Sequence, residues 1–122
     1  MAKVPGDDVL REVLDLWKNG IDAERPERVA EVFTEDAVFQ GLSPYSVGRQ
    51  GVRDYYAGQP RGTTVRYSVL ESRRPAADVV HGYVRADFAY PDRPPLRLYL
   101  SVVAHRIDDR WSIAGYQASR EP

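Results

Sequence analysis

Gln117 and Tyr67 are the residues whose surroundings make them candidates for chemistry. Gln117 ends the otherwise apolar or small-residue stretch Trp111-Ser112-Ile113-Ala114-Gly115-Tyr116-Gln117-Ala118. An amide on a buried strand face costs free energy unless it is paired, and it hydrogen-bonds a carbonyl or enol without ever taking up a proton. Tyr67 stands between Val65 and Val69, and its hydroxyl also needs a partner once buried. These two are the expected catalytic residues. Gln40, beside Phe39 on a short apolar run, is a second inward amide. Trp17 and Tyr55 lie on apolar helix stripes, where the Trp17 indole N–H and the Tyr55 hydroxyl would face a ligand or water. Together with Phe39, Gln40 and Trp111 they are expected ligand contacts.

His81 and His105 titrate near neutrality when unperturbed, around pH 6.5, and so invite an acid–base role. Strand alternation instead places both on the outer face with Tyr83, Tyr99, Val103 and Tyr116, a composition suited to a subunit interface. Asp87 and Arg85 share that face. A β-bulge between Asp78 and Asp87 would send His81 or Asp87 inward instead.

The last third of the chain positions these groups. Leu96, Leu98, Leu100, Val102 and Ala104 alternate with Arg97, Tyr99, Ser101, Val103 and His105, which is the period of a strand with one buried face. A tight turn at Asp108-Asp109 folds the next strand back. An even-numbered hairpin loop pairs even positions with odd ones, which puts Trp111, Ile113, Gly115 and Gln117 on the buried face. Upstream, Leu10, Val13, Leu14, Trp17 and Ile21 form a helical stripe, with Asp7 and Asp8 at its start and Asn19-Gly20 beginning its stop. Pro26 opens a second helix carrying Val29, Val32 and Phe33, which Thr34-Glu35-Asp36 ends. Residues 37–40 make a brief strand and Arg49 to Ala57 a third helix. Strands are expected over 63–72 and 78–90, with turns at Arg73-Arg74-Pro75 and Pro91 to Pro95. Helices gathered at one end and a meander of strands at the other make an α+β domain over residues 1–122, its helices covering one face of a curved sheet around a pocket.

Composition narrows the function. The formal charge is −1 from 17 basic and 18 acidic residues, and no basic cluster forms a nucleic-acid footprint. Cysteine is absent and only two histidines are present, so neither a disulfide nor a metal site is expected. The opening Met-Ala-Lys-Val-Pro-Gly-Asp-Asp has no apolar signal core, and no window approaches the roughly 20 apolar residues of a membrane span. The expectation is a cytoplasmic protein without nucleic-acid or membrane partners.

Three signatures, Val32-Phe33-Thr34-Glu35-Asp36-Ala37-Val38-Phe39, Gly48-Arg49-Gln50-Gly51-Val52-Arg53-Asp54-Tyr55-Tyr56 and Ile107-Asp108-Asp109-Arg110-Trp111-Ser112-Ile113-Ala114-Gly115, occur in this order. With the helical start, the chain resembles the cone-shaped, cystatin-like superfamily of nuclear transport factor 2 (NTF2), ketosteroid isomerase, scytalone dehydratase and the SnoaL-type polyketide cyclases. The closing Tyr116-Gln117-Ala118-Ser119 is most similar to SnoaL-like proteins found around polyketide clusters. The resemblance implies an NTF2-like fold of three N-terminal helices on a strongly curved antiparallel sheet, and no organic cofactor. It also implies a homodimer through the outer face at Tyr99, Val103, His105 and Tyr116. The implied ligand is a small apolar, polycyclic or polyketide-like molecule, to be isomerised, cyclised or dehydrated, or else merely carried. The alternative is a non-catalytic module supporting another enzyme.

In this fold the loop holding Tyr45 borders the pocket mouth. The position of the isomerase base falls on Gly41, and the neutral acid of the oxyanion hole falls within Leu100 to Val102. One pocket histidine of scytalone dehydratase falls on Val84, and the cyclase Asp near the last strand corresponds to Gln117. The resemblance therefore carries over the pocket but not its acid–base groups.

Overall fold

The computed structural model describes residues 6–121, so the first five residues, read above for a signal segment, lie outside it. Three helices, α1 (Asp7–Asp22), α2 (Pro26–Glu31) and α3 (Arg49–Ala57), pack on six strands: β1 (Phe33–Gln40), β2 (Ser46–Val47), β3 (Thr64–Ala76), β4 (Val79–Tyr90), β5 (Arg93–Ile107) and β6 (Arg110–Arg120). The strands form one unclosed, curved sheet in the order β2-β1-β6-β5-β4-β3, antiparallel except where β1 runs parallel to β6. This is the expected α+β architecture, with the parallel pair as an addition. Among the described residues no helix is long and apolar enough to cross a membrane, and no group of acidic or histidine side chains is arranged to hold a metal.

The expected stripe Leu10, Val13, Leu14, Trp17 and Ile21 is buried against the sheet. α1 does not stop at Gly20. Gly20 is where α2 crosses closely, since a Cβ there would lie 2.7 Å from Val29 Cγ2, and the helix ends beyond Asp22 with Glu24 in the left-handed region at φ 55°. Gly82 serves the same purpose beneath α1, where a Cβ would meet Leu10 Cδ1 at 2.5 Å.

The flank of α1 is tied to the outer strand β3. The Val65 N–H donates to Asp22 at 3.0 Å, and the Lys18 ammonium donates to the Val65 carbonyl at 2.7 Å while pairing with Asp22. Tyr67 donates its hydroxyl to Asp15, and Ser72 donates to Asp7 at 2.8 Å.

Several strands run further than local sequence suggested. Phe33 pairs with Ile113, and the Ile113 N–H donates to the Val32 carbonyl at 2.8 Å, so tertiary pairing makes Thr34-Glu35-Asp36 part of β1 rather than a break. β3 continues through Arg73-Arg74-Pro75 to a two-residue turn at Ala77-Asp78. Pro75 is tolerated because β3 is an edge strand needing no donor on its open side. The next turn is likewise reduced to Pro91-Asp92, and β2, read as loop, pairs with Val38 and Phe39.

The hairpin turn at Asp108-Asp109 forms as expected, both residues at positive φ (52° and 62°), as a two-residue turn with a right-handed twist requires. Even-to-odd pairing holds as far as Ala104 with Ile113. There the register shifts, and Val103 faces Gly115. The extra residue, Ala114, is a bulge, and it reverses the parity of everything after it. Tyr116 therefore turns inward, 4 % exposed, and Gln117 turns outward to solvent, the opposite of the sequence expectation for both. β4 keeps its alternation from Val80 to Phe88, so His81 and Asp87 stay outside. A second register shift falls in β3 between Val69 and Glu71.

Candidate functional site

The interior of the cone is filled by rings. Trp17 is fully buried and meets Phe88 edge-on at 6.0 Å and Tyr116 at 6.0 Å. Phe39 stacks on Tyr116 at 4.8 Å and 24°, and Tyr55 stands edge-on to Phe39 at 5.1 Å. A buried hydrogen-bond chain links them: the Trp17 indole N–H donates to the Tyr56 hydroxyl at 2.9 Å, which donates at a longer 3.5 Å to Tyr116. Burial pushes the phenols of Tyr56 and Tyr116 well above their ordinary range, so both are neutral donors at physiological pH. The polar groups buried among these rings are thus neutral and paired with one another.

Against these rings lies a niche of about 180 Å³ at the mouth, lined by Leu42, Ser43, Tyr55, Gln59, Phe88, Tyr90, Leu96, Leu98 and Tyr116. It is smaller than the roughly 300–1,000 Å³ usual for drug-sized ligands. No carboxylate or imidazole lines it. Its polar groups are the Tyr55, Tyr90 and Tyr116 hydroxyls, the Gln59 amide and the Ser43 hydroxyl. Tyr55 accepts a hydrogen bond from the Leu42 N–H at 3.1 Å, which fixes the loop after β1 over the niche. Of the adjacent tyrosines on α3, Tyr56 is buried and Tyr55 half-buried at the rim, the division expected for two large rings on one short helix.

Among the expected catalytic and ligand-contact residues, Trp17, Phe39 and Tyr55 meet in this aromatic cluster, and of these Tyr55 lines the niche, together with Tyr116, the residue expected at the interface. Gln117 is exposed and pairs in register with half-buried Gln40 on the outer face, away from the niche. Tyr67 is half-buried at the sheet edge with its hydroxyl on Asp15, and burial followed by that carboxylate raises its phenol above the usual range. Tyr45 is 67 % exposed, while Leu42 and Ser43 from its loop line the mouth instead. Val84 is sealed beneath the helices at 0 % exposure. Trp111 sits half-buried near the β5–β6 turn under the guanidinium groups of Arg106 and Arg74, 5.3 and 5.5 Å from its ring centre.

Gln59, just past the third helix, and Tyr90, the last residue of the strand expected over 78–90, carry no sequence signal that would place them in the niche. Phe88 and Leu98 were legible as inward-facing from alternation, but not as the mouth. On the outer face Tyr83 stacks flat on Tyr99 at 5.8 Å and 5°, beside His81 and Ser101, whose Nε2 and Oγ lie 2.9 Å apart. Asp87 holds Arg97 at 2.7 Å and Arg85 at 3.8 Å.

No protein-family model and no curated protein sequence matches the chain. Solved structures do match over nearly its whole length. A domain of unknown function with a cystatin-like fold from Nostoc punctiforme superposes with a TM-score of 0.83 at 16 % identity, covering 99 % of this chain and 80 % of the other. A ketosteroid isomerase-like protein from Erwinia carotovora atroseptica gives 0.80 at 16 % identity, with coverage of 97 % and 98 %. An NTF2-like protein of unknown function from Shewanella oneidensis gives 0.79 at 14 %, with coverage of 92 % and 97 %. Helices closed over a curved sheet, and these three superpositions, show that the chain has the cone-shaped, cystatin-like fold of the NTF2-like proteins.

Proposed function

We propose that this protein binds a small, flat, apolar molecule at the mouth of the cone and works on it by orientation and hydrogen bonding, without proton abstraction. The observation that carries this reading is the lining of the mouth niche: aromatic and aliphatic walls, hydroxyls and one amide, and no group that exchanges a proton near neutral pH. A ring sliding between Tyr55, Phe88 and Leu98 would bury apolar area, and a carbonyl or phenol on it would be met by the Tyr116 or Tyr55 hydroxyl. A carrier fits this lining better than an isomerase, cyclase or dehydratase that works by proton abstraction. Titration of isotope-labelled protein with 2-naphthol tests it: saturable shifts of Leu42, Leu96 and Leu98 support the reading, and their absence at millimolar probe overturns it.

A second element of the proposal is a homodimer through the outer face of the sheet. The flat Tyr83–Tyr99 pair, with Val103 and His105 beside it, supplies an aromatic and apolar centre, and Arg85, Asp87 and Arg97 supply a charged rim. Tyr116, expected from sequence in this interface, faces the core and is not part of it. Sedimentation of the wild type and of Tyr83→Glu checks this, a dimer becoming a monomer being the expected result.

A further inference from the structure

A second hollow of about 280 Å³ opens where the ends of all three helices meet, lined by residues of α1, α2, α3 and the loop leading into β3. Its floor is apolar: Val29 is fully buried, and Ile21 and Tyr56 are nearly so. Its rim carries Glu24, Arg25 and Arg61. Glu24 is already engaged, accepting the Gly62 N–H at 3.2 Å from a backbone held at φ 55°. The Thr63 hydroxyl is engaged too, donating to the Pro60 carbonyl at 2.6 Å. Arg25 has only the exposed Glu27 at 4.0 Å, and Arg61 has no ion pair or hydrogen bond among the described residues. The rim therefore sets two guanidinium groups against the single Glu24 carboxylate, beside the Gln59 amide, and the forked guanidinium donors match a second carboxylate. This hollow and the mouth niche have only Gln59 in common among their lining residues.

From this arrangement we infer that the hollow between the helix ends is a binding site for an amphipathic carboxylate, its head held by Arg25 and Arg61 and its short alkyl or aryl body laid on Ile21, Val29 and Tyr56. The site shares no function with the mouth niche, and the two proposals stand or fall separately.

Octanoate, with octan-1-ol as the neutral control, is the probe. In amide spectra of the labelled protein, octanoate is expected to give saturable shifts at Glu24, Arg25, Val29 and Gly62. Octan-1-ol, and the surface variant Arg25→Gln/Arg61→Gln, should each bind about tenfold more weakly or worse, the loss expected when hydrogen bonds to a charged group go. Ala57→Trp, at an exposed position on the rim, should fill the hollow and abolish the shifts while leaving the fold's spectrum intact. Absence of saturable shifts, equal affinity in the double variant, or shifts confined to Leu42, Leu96 and Leu98 at the mouth would each overturn the inference.

Discussion

The ring of Tyr116 lies nearly flat on that of Phe39, 4.8 Å between centres, because β6 carries one residue more than β5 at Ala114. The two residues are also register partners across the parallel β1–β6 pair. Deleting Ala114 would restore plain alternation, turning Tyr116 to solvent and Gln117 inward. The expected result is loss of cooperative unfolding and of the near-ultraviolet aromatic signal, read by circular dichroism. A native-like spectrum would show that the bulge migrates instead.

Gln117→Leu changes an exposed outer residue. Affinity for 2-naphthol should stay within about twofold of wild type, the range of ordinary surface substitutions. Leu96→Trp, by contrast, places an indole in the mouth niche and should cost about tenfold or more in affinity, with stability changed by only about 1 kcal/mol. Titration calorimetry of the pair separates the two sites.

Tyr56→Phe removes the acceptor of the buried Trp17 N–H. Stranding that donor should cost about 1–3 kcal/mol in urea unfolding. Adding Trp17→Phe in the same chain removes the stranded donor along with ring volume, and a double-mutant cycle isolates the coupling between the two positions.

Tyr56, Tyr67, Tyr90 and Tyr116 all have phenols raised above 10.0, burial being the leading cause in each. A group whose folded pKa lies above its unfolded value favours the folded state fully below the unfolded pKa. That contribution declines as pH rises above it, because the unfolded chain loses the proton first. Stability should therefore be insensitive to these groups near neutrality and fall steadily above pH 10.0. Phenolate absorbance during alkaline titration should show Tyr56, Tyr67, Tyr90 and Tyr116 ionising at higher pH in the folded protein than in the urea-unfolded chain.

Much of the fold was legible because alternation and helical periodicity are local. α3 formed over the expected residues, the α1 stripe is the core, and β4 alternates as read. The candidate site was less legible, for a physical reason. One inserted residue at Ala114 reverses every side chain beyond it, and nothing in Ile113-Ala114-Gly115 distinguishes a bulge from regular strand. Thr34-Glu35-Asp36 likewise reads as a break because its strand character comes from β6 and not from its own residues. The mouth is made by residues from six elements or loops, so Gln59 and Tyr90 join it only through the fold.

Asp22→Ala should release the Val65 N–H and leave Lys18 only the Val65 carbonyl, at a cost of about 1 kcal/mol, since both side chains are about one-third exposed. Hydrogen exchange at the Val65 amide is the direct readout, and faster exchange is expected.

The same ties have a meaning for self-association. A sheet that is not closed has two open borders, and here one is a strand of only two residues while the other lies under the flank of α1. At Val65 the helix occupies the backbone groups that a foreign strand would seek, so it acts as a guard against edge-to-edge polymerisation. Lifting α1 away from Val65 would free that N–H and carbonyl together, the pairing groups by which an exposed strand recruits another.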